Sequence, residues 1–394
     1  MTTQTSTKWD DYLVRDFSKV KGGKRLPKGQ FVQNEKTAHP YIRVTDMHTD
    51  GLDASNIKYI TDEQFEKIKR YIISSDDVYV SNAGTIGLVG KVPRWLSGAN
   101  LTENALKLTD IDKKKVIQDF IIYFLRSSVG QDQIKARTGG SSQPKLALTR
   151  LADVTVTAPD VPSQNRIVDV LSAYDDLIEN NNRRIKILED IAQKIYTEWF
   201  VEFRFPSYEK AKFGKDGLPN GWKMAKIRAL IETVKRKEKL KTDQYLSNGI
   251  YPIIDQGKDF IAGYTNDTDT VYKEHLIVFG DHTRCFKYCN FDFACGADGT
   301  QLLKSKNSDN LPEILLYFLV KNADLKSNHY ARHFKFLKEI EVITPGKKLA
   351  QDFAELCAPT YENIKQMMFK NVILRKSRDL LIPQLVTGKL EIKS

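Results

Sequence analysis

The side chains best suited to metal or covalent chemistry lie in the second half of this chain. His282, Cys285, Cys289 and Cys295 fall in one short stretch. Their spacing lacks the C-x-x-C knuckle of structural zinc sites. Cys285, Cys289, Phe291, Phe293 and Cys295 all fall on one strand parity, as small core residues would. We therefore expect no metal here. His329 and His333 are spaced i and i+4, but no glutamate nearby completes a hydrolytic zinc motif. The segment Gly87-Leu-Val-Gly-Lys91-Val has the wrong glycine spacing for a phosphate loop and no Ser or Thr after the lysine. No two prolines are adjacent, so the Asn/Asp-Pro-Pro-aromatic segment with which amino-methyltransferases hold a base is missing. No catalytic residue is assigned, which weighs against a stand-alone nuclease or methyltransferase.

What remains is chemistry of recognition. Cations set among amides, hydroxyls and aromatics suit nucleic acid, because phosphates fix position while side-chain donors and acceptors read bases. In the first half these segments carry Lys24 and Arg25, Arg43, the turn Ser81-Asn82-Ala-Gly-Thr85, and the loop Ser141-Ser142-Gln143-Pro-Lys145. In the second half they carry Lys258, then His282, Thr283 and Arg284, then His329, Tyr330, Arg332 and His333. A net charge of +11 agrees with an acidic partner such as nucleic acid. The run Lys235-Arg236-Lys237-Glu-Lys239 reads first as a solvated face.

Two long elements must carry these loops. Ile167, Leu171, Tyr174, Ile178, Asn181, Ile185, Leu188, Ala192, Ile195 and Trp199 follow each other at steps of four and three, a heptad seam. The same seam recurs 186 positions later, from Phe353 to Leu385, interrupted by Thr360, Asn371 and Arg378. Pro359 is expected to kink the second helix or mark its start, and Ser163 is expected to cap the first. Asn181 and Asn371, as polar seam residues, suit an antiparallel pair held in one alignment. From Ile167 to Trp199 such a helix rises roughly 48 Å. The aromatic end Tyr196, Trp199, Phe200 and Phe203, with Leu381 and Leu385, is expected to dock partner subunits.

The expected fold is α+β. Two mixed α/β domains are each followed by a long helix, and the two helices form an antiparallel coiled coil with a pseudo-twofold repeat. The partition reads 1–159 and 222–345 for the mixed domains, 160–206 and 346–394 for the helices and C-terminal tail, and 207–221 for a glycine-rich linker. Within the domains Tyr41 to Val44, Asp77 to Val80, Tyr251 to Ile254, His275 to Phe279 and Glu341 to Thr344 read as strands. Asp62 to Tyr71, Val116 to Val129 and Pro312 to Val320 read as helices. Cysteine usage suits a reducing compartment, and a polar N-terminus without an apolar core predicts a cytoplasmic chain.

Over nearly its full length the chain resembles the specificity subunit of Type I restriction-modification systems. The resemblance is carried by Tyr41-Ile-Arg, Ser81 to Gly87, Gly139 to Gln143, Val154 to Pro159, Gln164 to Val168, Tyr196 to Val201, Gly217 to Trp222 and Arg378 to Gly388. It implies two target-recognition domains, each reading half of a split, asymmetric DNA site. It implies helices that set the gap and carry two modification subunits and the restriction subunits. S-adenosylmethionine, ATP and Mg²⁺ would belong to those partners. The competing expectation is a helical scaffold or adaptor that reads no bases.

Overall fold

The computed structural model describes residues 8–140, 144–232, 234–257, 259–296, 299–326 and 332–392. The chain forms two compact units. One joins residues 1–179 to 371–394, and the other comprises residues 180–370. The linear partition gave each domain one following helix, whereas each compact unit takes a segment of both long helices.

The first unit opens with strand Trp9–Leu13, which pairs antiparallel with Thr155–Pro159 at the far end of the domain. Between them lie two four-stranded sheets. One has the order Lys19–Gly22, Ala105–Thr109, Val78–Ser81, Val89–Gly90. The other has the order Lys58–Ile60, His39–Ile42, Ala99–Leu101, Ile72–Ile73, with its middle pair parallel. A small hairpin, Met47–His48 with Gly51–Leu52, completes the strands.

The second unit repeats this programme strand for strand. Lys223–Lys226 pairs with Glu341–Thr344. One sheet runs Ile231–Glu232, Thr300–Ser305, Leu276–Gly280, Phe286–Cys289, and the other runs Gly263–Thr265, Tyr251–Ile254, Phe293–Cys295, Val271–Tyr272. Its middle pair is again parallel. Among the described residues only the small hairpin has no counterpart.

Each domain buries one strongly apolar helix against its sheets. Gln118–Arg126 and Glu313–Lys321 align through Ile121-Ile122-Tyr123-Phe124-Leu125 and Leu315-Leu316-Tyr317-Phe318-Leu319, all of them buried. The expected helix to Val129 instead ends at Ser127. That residue's hydroxyl caps a separate helix, Ser128–Arg137, by accepting from the Gly130 N–H.

The first long helix spans Val161–Tyr196 and closes in a π-helical turn, Thr197–Val201. Its cap is Asp160 rather than Ser163. The Asp160 carboxylate accepts from the Ser163 N–H at 2.7 Å, which places Pro162 inside the first turn, where no donor is lost. The second long helix, Lys347–Leu385, runs unbroken through Pro359.

Within the first unit the two helix segments run antiparallel. Arg378 lies against Asp175, and Gly388 lies beside Trp9, whose strand partner Pro159 precedes the first helix. Within the second unit the Tyr196 and Phe353 rings meet, while Glu189 faces Tyr361. The 186-residue offset then becomes a packing rule. Ile167, Val168 and Leu171 share a core with Ile382, Leu385 and Val386. Their equivalents Phe353, Ala354 and Cys357 share one with Tyr196, Trp199 and Phe200. Full burial of a side chain such as Leu171, Leu385 or Phe353 contributes about 2 kcal/mol.

Candidate nucleic-acid interface

Strand Val78–Ser81 is buried along its whole length and delivers the chain to the turn that follows. Ser81 and Asn82 then serve as staples. The Ser81 hydroxyl donates to the Thr85 carbonyl at 2.6 Å and accepts from the Leu88 N–H at 2.8 Å. The Asn82 N–H donates to the Asn104 carbonyl, and the Asn82 carbonyl accepts from the Leu146 N–H. The Asn82 amide donates to the Leu146 carbonyl. Ser81 is fully buried and Asn82 only 3% exposed, and their hydrogen bonds go into holding the turn. The exposed tip is Gly84, at φ +75°, and Thr85.

The Leu146 contact brings in the loop closed by Gly139 and Lys145, whose N–H groups and carbonyls pair reciprocally. Lys145 is exposed, while Ser141, Ser142 and Gln143 lie outside the described residues. On the other side, Thr102 to Asn104 adjoins the segment after strand Lys19–Gly22. A Cβ on Gly23 would come within 2.0 Å of the Thr102 carbonyl oxygen, so this close approach admits only glycine. Lys24 and Arg25 follow on the surface, Arg25 paired to Glu103 at 2.6 Å. Segments 23–25, 102–104 and 82–87, with residues 139–140 and 144–146, thus form one rim among the described residues. Arg43 does not join it. Its backbone N–H and guanidinium both donate to Asp46, and Nη2 donates to the Asn56 carbonyl at 3.1 Å, so it braces a turn.

The second unit builds its rim on the same strand. Leu276–Gly280 is buried throughout and ends at Asp281, 2% exposed. Asp281 takes the place of Asn82. Its N–H donates to the Gly299 carbonyl at 2.7 Å, its carbonyl accepts from the His333 N–H, and its carboxylate accepts from the Phe334 N–H at 2.7 Å. The His333 Nδ1 lies 2.9 Å from the same carbonyl, and the ring is buried. His333, expected at the sequence level to meet an anion, is buried here and clamps Asp281.

His282, Thr283 and Arg284 form the exposed tip, with the His282 N–H held by the Gln256 side chain. Arg284 sits at φ +60°, a left-handed conformation that costs a side chain about 1 kcal/mol. Arg332 is exposed beside the clamp, and Lys258, His329 and Tyr330 lie outside the described residues. Asp281 is not among the expected contact residues, although Gly280-Asp281 stand to their strand as Ser81-Asn82 do to theirs.

The cysteines have structural places. Burial pushes the Cys295 thiol up to about 11 and the Cys289 thiol well above its ordinary value. Cys285 is half-buried, its thiol facing the Gln256 carbonyl, while His282 points to solvent.

The expected docking residues are spent within the chain. Tyr196, Phe200 and Leu385 are buried in its own cores, and Trp199, Phe203 and Leu381 pack partly against them. The apolar side chains the long helices leave in water are others. Ile187 is 57% exposed and Ile373, its equivalent in the repeat, is 65% exposed.

Two copies of one mixed domain, each lifting a cation-bearing rim and each fastened to segments of two long helices, form the architecture of a DNA-specificity protein. The model of the Type I restriction modification DNA specificity domain matches residues 6–190 and 219–355, and the chain belongs to that family. It is similar to the Type I restriction enzyme MjaIX specificity subunit of Methanocaldococcus jannaschii, 24% identical over 98% of this chain and 94% of that one. It is also similar to the HindI specificity subunit of Haemophilus influenzae, 21% identical over 70% of this chain and 78% of that one. In fold it matches the crystal structure of an S subunit from M. genitalium, with a TM-score of 0.54 and 16% identity over 98% of both chains. Among the described residues no helix is long and apolar enough to cross a membrane.

Proposed function

We propose that this chain reads an asymmetric, split DNA site, one half-site per recognition domain. One observation carries the reading. The same strand and the same clamp raise a rim in both units, yet the exposed side chains differ. Thr85 and Lys145 stand on the first rim, and His282, Arg284 and Arg332 on the second. A shared scaffold with different donors and acceptors suits two different half-site sequences.

In this reading the chain performs no chemistry. Two modification subunits dock at the exposed positions Ile187 and Ile373, whose equivalence in the repeat suits two copies of one partner. Restriction subunits join the same assembly. S-adenosylmethionine, ATP and Mg²⁺ are assigned to the partners. The test is binding of the chain, with its modification partner, to a library of split duplexes over a salt titration. Enrichment of one bipartite sequence with salt-sensitive affinity is expected. Equal binding of random duplexes would overturn the reading.

A further inference from the structure

Arg378 stands on the seam of the second long helix, where an apolar residue is expected, and is only 4% exposed. Its guanidinium joins three elements of the first unit. Nη1 donates to Asp175 on the first long helix, and Nη2 donates to Asp50 at 2.8 Å. Asp50 also accepts from Arg375, one helical turn away from Arg378. The second Asp175 oxygen accepts from the Tyr123 hydroxyl at 2.6 Å, which adds the buried helix Gln118–Arg126 of the recognition domain. Asp50 lies at the turn of the hairpin Met47–His48 and Gly51–Leu52, the one pair of described strands without a counterpart in the second unit.

The repeat supplies an internal control. The equivalents of Arg378, Asp175 and Tyr123 are Ala192, Tyr361 and Tyr317, so the second unit fills the same place with rings: Tyr361 and Tyr317 meet at 6.0 Å. Packed rings therefore suffice to fill this place. A buried ion network adds little net stability over such packing, but its planar, directional bonds fix orientation. The path from this network to the reading rim is short. The Asp50 hairpin follows strand His39–Ile42, the Ile42 carbonyl accepts from the Thr102 N–H, and Asn104 holds Asn82.

We infer that Arg378 is a positioning residue for DNA reading, one that holds the first domain's rim at a fixed angle on the helices through Asp50. This role rests on the DNA-reading function proposed above.

Arg378→Ala alone would leave Asp175 without its cation and Asp50 with Arg375 alone, so the test also uses the second unit's own solution, Asp175→Tyr with Arg378→Ala and Asp50→Asn. Each variant, with the modification partner, is assayed on duplexes altered in one half-site or the other, below its melting temperature. Discrimination at the first domain's half-site is expected to fall by on the order of ten-fold. Discrimination at the other half-site stays at the wild-type level, and Arg378→Lys, which retains the charge without the fork, falls between. A repacked variant that melts like wild type and discriminates like it at both half-sites overturns the role. Equal losses at both half-sites overturn it as well. A wild-type chain that discriminates no split duplex overturns the DNA-reading function itself, and this role with it.

Discussion

Asn82 and Leu146 are joined by two hydrogen bonds, the Leu146 N–H donating to the Asn82 carbonyl and the Asn82 side-chain amide donating to the Leu146 carbonyl. Asp281 and His333 form the corresponding clamp in the second unit. In each domain a buried polar residue at the end of the central strand ties a second loop to the first. The exposed tips beside these clamps inherit their placement from them.

Asn82→Ala and Asp281→Ala are expected to cost about 1–3 kcal/mol each, because buried partners lose their bonds. Each should weaken binding only at the half-site its own domain reads. Thr85→Ala, at an exposed tip, should stay within about 0.5 kcal/mol in stability yet still weaken the first domain's half-site. Thermal melts alongside half-site-resolved binding separate the two behaviours. A stable Asn82→Ala chain with altered base preference would return Asn82 to the readers.

Arg284→Gly isolates function from fold at the second rim. Glycine relieves the left-handed strain of about 1 kcal/mol while adding unfolded-chain entropy of similar size, so the melting temperature should barely move. The loss of the cation should lower affinity for the second domain's half-site. If the cation meets a phosphate, the log–log salt slope falls by about one. An unchanged affinity would remove Arg284 from the interface.

The repeated helix seam was legible in the sequence because the 186-residue register carried Ile167 onto Phe353 and Leu171 onto Cys357. Strands Tyr251–Ile254 and Glu341–Thr344 matched their expected ranges, since alternating or fully apolar runs bounded by turns mark them. The site was less legible. An amide in a glycine-rich turn looks the same whether it staples the turn or faces a ligand, and only the fold shows that Asn82 is buried and Thr85 exposed. The apolar ends at Tyr196 and Leu385 showed a face that must be covered, without showing that the chain covers it itself. Arg378 looked like a defect in the seam because its partners Asp50 and Asp175 are far away in sequence.

Ile187→Asp and Ile373→Asp test the proposal that modification subunits dock at these positions. Both side chains are exposed, so a carboxylate there should leave stability within about 0.5 kcal/mol. Each change should remove one modification subunit, taking the assembly from two copies to one by mass measurement, and the double change should remove both. Full occupancy in the double variant would place the docking surface elsewhere.

The Arg378 network also predicts a pH profile for the first unit. Burial alone would push the Asp50 carboxyl up, but hydrogen bonds and charge from Arg378 and Arg375 outweigh it and hold the group below its ordinary 3.8. A lowered folded-state value contributes stability that is present above the unfolded value and lost as pH falls through the folded one. Tyr123 has the opposite sign. Burial first, then the Asp175 charge, raises its hydroxyl, so its contribution is complete below the ordinary 10 and lost as pH climbs toward the folded value. The network should therefore hold steady between roughly pH 5 and 9 and weaken at both extremes. Denaturant titrations across pH should show Asp50→Asn flattening the acid limb and Tyr123→Phe the alkaline limb, the latter at a cost of about 1 kcal/mol near neutrality. If Asp50→Asn left the acid limb as steep as in the wild type, other carboxylates would govern it, and Asp50 would be paired with Arg378 without being stabilised by it.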